Sequence, residues 1–159
     1  MATRMLMLTQ GDARDIDAVQ EVMAAAFDPR FGEAWTRSQT LGVLAMPGVR
    51  LTIARMQDLA VGFALVRAVL DEAELLLLAV SSSRRRQGIG GALLRAAEVD
   101  CTTRGVAKFH LEVRSGNPAV RLYTGQGFAK VGERRNYYRG NAGQAFDAHT
   151  YAKHLVASR

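Results

Sequence analysis

The chain has one cysteine, three prolines and one tryptophan in 159 residues. A single cysteine excludes an internal disulfide and a cysteine-built zinc site. No apolar run approaches the roughly 18 residues that span a bilayer. The opening MATRMLMLTQ is too short and too interrupted for a secretion signal, so a cytoplasmic protein with no membrane segment is expected. Acidic residues are scarce in one half only. Residues 1–80 carry 7 Lys/Arg against 10 Asp/Glu, whereas residues 81–159 carry 14 against 5, for net charges of −3 and +9. Nucleic acid and a small polyanion are the two partners that such a basic half suggests. There is no internal repeat, low-complexity tract or linker, and the length suits one domain over residues 1–159.

What is present centres on Ala73–Leu94, AELLLLAVSSSRRRQGIGGALL. Six apolar residues, Leu75–Val80, read as a buried strand. Arg84–Arg86 and Gly88, Gly90 and Gly91 then open a helical pattern. Free N–H groups at a glycine-rich helix start, with arginines beside them, make an anion site. Two familiar anion sites are excluded. A dinucleotide fingerprint needs a third glycine where Leu93 stands, and a P-loop needs a Gly-Lys-Ser/Thr that the chain lacks.

Around this stretch the periodicities predict eleven elements in the order β-α-α-β-β-β-α-β-α-β-β, a mixed α/β domain. Arg4–Thr9 reads as a strand. Asp12 caps a helix with Asp15 three residues on, and Ile16, Val19, Met23 and Phe27 form its apolar face. A second helix is expected over Ala34–Ala45, ended by Pro47-Gly48. Val49–Arg55 and Ala60–Leu70 read as a hairpin, followed by Glu74–Val80. Ile89–Thr103 is helical and Val106–Arg114 a strand, apolar at Phe109, Leu111 and Val113 and polar at the alternate positions. Asn117-Pro118 starts a short helix. Phe128–Arg135 and Ala145–Leu155 are the last strands.

Two motifs carry a family likeness. Arg85-Arg86-Gln87-Gly88-Ile89-Gly90 fits the Arg/Gln-x-x-Gly-x-Gly/Ala pattern of the acetyl-CoA pyrophosphate loop in the GNAT N-acetyltransferases, though a plain tight turn with solvated arginines fits it as well. HLEVRSGNPAVRLYTGQGF, His110–Phe128, is similar to the later block of the same superfamily: strand, Asn, helix ending in Leu-Tyr, then Gly-Phe. VLDEAELLLLAV, RRQGIGGALL, RGVAKFHLEVR, LYTGQGF and RRNYY resemble the bacterial ribosomal-protein N-terminal-alanine acetyltransferases (the RimI family). The resemblance covers Val69–Tyr138, with a fainter match over Phe31–Gln39 around Trp35. It implies the GNAT fold, a mixed central sheet of about seven strands flanked by about four helices.

Acetyl transfer to an amine needs a base for the amine proton, an acid for the leaving thiolate and donors for the carbonyl oxygen. By resemblance Glu112 is the base; its other reading is a strand carboxylate paired with Arg114 or His110. Tyr123 is the acid by resemblance, and otherwise a core aromatic with its hydroxyl at the surface. The resemblance also implies that Leu78, Ala79 and Val80 pair through their backbone with pantetheine. Arg85, Arg86, Gln87, Gly88, Ile89, Gly90 and Gly91 would hold the pyrophosphate of acetyl-CoA. Asn117 would bond the cofactor, or cap the following helix. The spacing from Glu112 to Tyr123 is one residue shorter than the family's, so either Asn117 or Gly116 takes the usual Asn position. Trp35, Arg134, Asn136, Tyr137 and Tyr138 would shape the acceptor channel.

The implied acceptor is a protein N-terminal amine, the N-terminal alanine of a small-subunit ribosomal protein. A lysine side chain, a polyamine or another small amine would use the same chemistry. A nucleic-acid module would need basic residues interleaved with exposed aromatics, and only Arg134-Arg135 beside Tyr137-Tyr138 offers that. His110 and His149 form no metal-ligand pattern, so no metal is expected. Cys101 shares a helix face with Leu94 and Ala97 and reads as core. A monomer is expected, since no exposed apolar stripe is evident.

Overall fold

A computed structural model of the protein describes residues 5–156; Arg4, the first residue of the expected opening strand, lies outside them. The elements follow the expected order. They are β1 (Leu6–Gly11), α1 (Ile16–Ala26), α2 (Arg37–Leu44), β2 (Val49–Met56), β3 (Leu59–Val69), β4 (Glu72–Val80), α3 (Ile89–Thr103), β5 (Lys108–Arg114), α4 (Val120–Gly125), β6 (Ala129–Arg139) and β7 (Ala145–His154). The seven strands form one sheet in the order β1-β2-β3-β4-β5-β7-β6. Every pairing is antiparallel except that of β4 with β5. Among the described residues no helix is long and apolar enough to cross a membrane.

Local chemistry sets the boundaries. Asp12 and Asp15 form the expected cap, Asp12 accepting from Arg14 N at 2.9 Å and Asp15 from Asp12 N at 3.0 Å. They cap a single 3-10 turn, Ala13–Asp15, that leads into α1. Phe27, expected on the helix face, is instead the extended residue that ends α1. α2 starts at Arg37 rather than Ala34 because Thr36 is its cap. Gln39 N donates to Thr36 Oγ1 at 3.2 Å, and Thr36 N to Gln39 Oε1 at 2.8 Å. α4 starts at Val120 rather than Asn117, whose Oδ1 accepts from Ala119 N at 2.8 Å to make a preceding turn. β6 runs four residues past Arg135, to Arg139.

Helices cover both faces of the sheet. On one, Ile89, Leu93, Leu94, Ala97 and Cys101 of α3 pack with Phe109, Leu111 and Val113 of β5. On the other, Val19, Val22, Met23 and Ala26 of α1 pack with Leu51, Ile53, Phe63 and Leu65. β4 serves both cores. Opposite β3, Leu65 pairs with Leu77 and Val66 with Leu75, so Leu76 is an extra residue, a bulge. Ala73 and Leu75 before it point into the α3 core, whereas Leu77 and Ala79 after it point into the α1 core. Inserting one residue in a period-2 strand exchanges its faces.

Candidate active site

The parallel pairing of β4 and β5 covers only Glu72–Leu75 against Lys108–Leu111. Beyond Leu75 the two strands part, while β4 continues to Val80 and β5 to Arg114. A parallel neighbour that leaves early opens a slot through the sheet and frees the backbone edge of Leu76–Val80 for another partner.

Two cavities meet at this slot. One is a groove of about 880 Å³ lined by Leu78–Val80, Arg84–Arg86, Gly88–Gly91, Arg114 and Asn117. The N-terminus of α3 opens into it, and no side chain caps that helix. Its first N–H groups therefore have no side-chain partner and lie among three arginines, at the place where the sequence leads one to expect an anion. Arg85 also donates to Ala26 O, pinning the arginine turn to the end of α1. Gln87, expected beside the pyrophosphate, is exposed and lies outside the groove lining.

The second cavity is smaller, about 160 Å³, and is lined by Glu112, Tyr123, Trp35, Tyr137 and Tyr138 among others. Glu112 and Tyr123 reach it from opposite sides of the sheet. β5 sends Phe109, Leu111 and Val113 into the α3 core, so Glu112 projects to the other face. Tyr123 comes from α4 within the α3 core, edge-on to Phe128 at 6.1 Å between centroids. It is 6% exposed, and burial, with Glu33 next in effect, pushes its hydroxyl well above the ordinary tyrosine range. The phenol thus keeps its proton across neutral pH, as an acid in waiting must. The ring is core and the residue lines the small cavity.

Glu112 pairs with neither Arg114 nor His110. Arg134 Nε stands 2.6 Å from Glu112 Oε1. Burial, and the negative Glu112 next in effect, raise the Tyr137 hydroxyl. Burial also raises Tyr138, whose hydroxyl donates to Glu112 O at 3.4 Å. Asn136 is outside the cavity. It takes a left-handed turn, φ 53°, with its N–H on Asp147 Oδ1 at 2.9 Å, and this kink swings Tyr137 and Tyr138 inward. Trp35 is held from beneath, its carbonyl accepting from Gln20 Nε2 at 3.2 Å.

A strap unforeseen in the sequence crosses the junction. The segment after α1, Asp28–Glu33, packs onto the β6–β7 hairpin. Phe31 lies edge-on to Phe146 at 5.3 Å, and the Arg114 guanidinium sits 3.7 Å from its ring centre. Asn141 N donates to Pro29 O at 3.1 Å. Gly32 has φ 68°, and a Cβ there would stand 1.8 Å from Arg139 O, so the strap needs glycine at this contact. Glu33 lines both cavities. It accepts from Arg114 Nε at 3.2 Å and from Asn117 Nδ2 at 2.8 Å.

Slot, anion groove and the Glu112–Tyr123 pair are the parts an acyl transfer between two substrates would need. A family model described as an acetyltransferase (GNAT) domain matches residues 17–140. The chain belongs to the GNAT family. Among curated GNAT relatives, the [ribosomal protein bS18]-alanine N-acetyltransferase of Escherichia coli (strain K12) is 47% identical over 77 residues, 48% of this chain and 52% of that protein. The matched stretch thus spans about half the length of that relative. A Bacillus subtilis (strain 168) protein named provisionally for the same activity is 30% identical over 133 residues, 82% of this chain and 85% of that one. The crystal structure of the E. coli ribosomal-protein-S18-alanine N-acetyltransferase superposes with a TM-score of 0.86 at 29% identity, covering 98% of this chain and 97% of that one.

Within this GNAT chain, Glu112, Tyr123, Trp35, Tyr137 and Tyr138 gather at one cavity, and Leu78–Val80, Arg85, Arg86 and Gly88–Gly91 at the other. Asn117 belongs to both, while Gly116 lines only the larger groove. Glu33, Arg114 and Phe31 were missed. The one sequence signal for Glu33 and Phe31 is a charged and an aromatic residue set among the Pro and Gly of a loop, and Arg114, the last residue of β5, carries none.

Proposed function

We propose that the protein transfers an acetyl group from acetyl-CoA to the α-amine of a protein N-terminus, the N-terminal alanine of a ribosomal protein being the favoured acceptor, in the cytoplasm. One observation carries this reading: Glu112 and Tyr123 face a single slot from opposite sides of the sheet, where a groove suited to a long phosphorylated donor meets a small cavity.

The groove fits acetyl-CoA in chemistry. The N-terminus of α3 and Arg84–Arg86 supply positive potential for a pyrophosphate. The free edge of Leu76–Val80 can accept a pantetheine arm as an added strand. When bound, acetyl-CoA supplies an activated thioester. Glu112 takes the amine proton and Tyr123 protonates the departing sulfur, the two groups reaching the small cavity from opposite faces of the sheet. Backbone N–H groups of Leu76–Val80, freed where the β4–β5 pairing stops, would supply donors for the carbonyl oxygen.

An α-ammonium with a pKa of about 8 gives up its proton far more readily at neutral pH than a lysine at about 10.4. The acceptor cavity is also small, about 160 Å³, which favours a short first side chain. The names of the E. coli and B. subtilis relatives point to the same acceptor.

Thiol release from acetyl-CoA, followed with peptides that differ only in their first residue and with free lysine and polyamines, tests the reading. Ala-starting peptides should turn over fastest. Turnover of small amines with none of the peptides would refute it.

A further inference from the structure

The strap does more than cover the slot. Glu33 and Arg114 form an ion pair whose side chains are only 10% and 9% exposed. The second oxygen of Glu33 receives Asn117 Nδ2 at 2.8 Å. Asn117 in turn uses its Oδ1 to receive Ala119 N at 2.8 Å. Tyr123 N donates to Ala119 O at 3.2 Å. An unbroken series of hydrogen bonds thus runs from a loop on the α1 side of the sheet to the backbone of the candidate acid on the other side.

α4 needs this support. It is six residues long, and its N-cap residue, Ala119, makes no capping hydrogen bond through its own side chain. A helix so short does not hold itself in water. Its C-terminal end is tied down by Gln126, which donates to Gly91 O at 3.3 Å and accepts from Lys153 Nζ at 2.6 Å, whereas its N-terminal end is braced by the Asn117 turn, and Asn117 is oriented by Glu33. Arg114 fixes the carboxylate that orients Asn117, and Arg114 is itself held by Ser115 O at 3.1 Å and by the face of Phe31.

We infer that Glu33 is a positioning residue for acetyl transfer: through Asn117 it sets the start of α4, and so fixes Tyr123 against the thioester. This rests on the proposed acetyltransferase reading. It goes beyond it by making the geometry of the acid depend on a loop that follows α1, on the other face of the sheet. Misplacing a reacting group by about 1 Å can cost on the order of a hundredfold in rate. A loosened α4 therefore affects kcat most, because the α3 N-terminus and the β4 edge stay in place and only the wall of the groove formed by Asn117, Ala119 and Leu122 is disturbed.

Three variants separate reach from charge. Glu33→Ala removes both. Glu33→Gln removes the carboxylate charge that faces Arg114 but keeps an oxygen for Asn117. Glu33→Asp keeps the charge but shortens the reach. kcat and KM are measured with the best acceptor found among peptides and amines. Amide hydrogen exchange of residues 119–125 is measured on each full-length protein without any acceptor. Glu33→Ala and Glu33→Asp should lower kcat by about ten- to a hundredfold, with KM for acetyl-CoA raised by a clearly smaller factor because only one wall of the groove is touched. Both should speed exchange in α4. Glu33→Gln should keep kcat within about threefold of the parent. Should Glu33→Ala not fold, the Asp and Gln pair decides alone. A Glu33→Asp kcat within about twofold of the parent, or equal losses in Gln and Asp, overturns the inference. The exchange data need no acceptor, so they read α4 even if the peptides fail and the acceptor assignment falls.

Discussion

Arg134 Nε lies 2.6 Å from Glu112 Oε1, so the candidate base holds a guanidinium at its mouth. Arg134 is largely exposed and rests on the Tyr137 ring at 5.6 Å, whereas Glu112 is almost covered. An incoming ammonium competes with Arg134 for the carboxylate. Half-exposed ion pairs are weak, of order 0.2–1 kcal/mol. Arg134→Gln should therefore lower KM for the acceptor peptide by roughly two- to fivefold, measured in steady state. A rise in KM would make Arg134 a ligand of the acceptor instead of its competitor.

Glu112→Gln removes the base and leaves the shape. Turnover should drop by roughly 10²- to 10⁴-fold while calorimetric binding of acetyl-CoA is retained. The deficit should be largest at low pH and narrow as pH approaches about 8, where the free α-amine deprotonates unaided. Loss of acetyl-CoA binding would mark Glu112 as a structural carboxylate.

Burial raises Tyr123, Tyr138 and the Cys101 thiol, the last from 9.0 to about 11. All three favour the neutral form in the folded chain. Above each group's unfolded value the unfolded state holds fewer protons, so stability falls as pH rises. Melting temperature should be flat near neutrality and fall from about pH 9 upward, beginning with Cys101 and joined by the tyrosines from about pH 10. Over the neutral range kcat should show no alkaline decline from Tyr123, and Tyr123→Phe should lower kcat without lowering the melting temperature. A melting temperature still flat at pH 11 would contradict the assigned burial.

Gly62 on β3 lies beneath the start of α3. A Cβ there would stand 2.9 Å from Ala79 O and 3.2 Å from both Ile89 Cγ2 and Leu93 Cδ1. Gly62→Ala should destabilise the fold by about 1–3 kcal/mol in denaturant melts. It should also weaken acetyl-CoA binding, because Ile89 is the first residue of α3. Unchanged affinity alongside lost stability would place the strain away from the anion site.

Much of this was legible beforehand because its signal is local. α3 spans the expected Ile89–Thr103, fixed by glycines before it and Gly105 after it. β5 showed its alternation, and Glu112 and Tyr123 came with motif neighbours. The arrangement around Glu33 had no local signal, since its partners Arg114 and Asn117 lie 81 and 84 residues along the chain. The far end of β6 was hidden for another reason. Exposed along almost its whole length, it has no apolar alternation, and Asn136 breaks its pairing. The front of α2 was drawn too early because Ala34 and Trp35 are apolar, yet Trp35 belongs to the cavity wall and Thr36 is the cap.

The extra residue at Leu76 makes β4 intolerant of length change. Deleting it would bring Leu77 and Ala79 round towards α3 and send Leu78 and Val80 towards α1, a half-period slip felt on both sides of the sheet at once. The free edge of the strand would shift by the same step, presenting donors where acceptors had stood. Changes of acceptor are better tolerated as single substitutions at the rim, at Arg134 or Tyr137, which leave the phase of the sheet untouched. A single-codon loss in β4 would disturb packing and donor alignment together, so relatives that differ widely in acceptor should keep this one strand in phase.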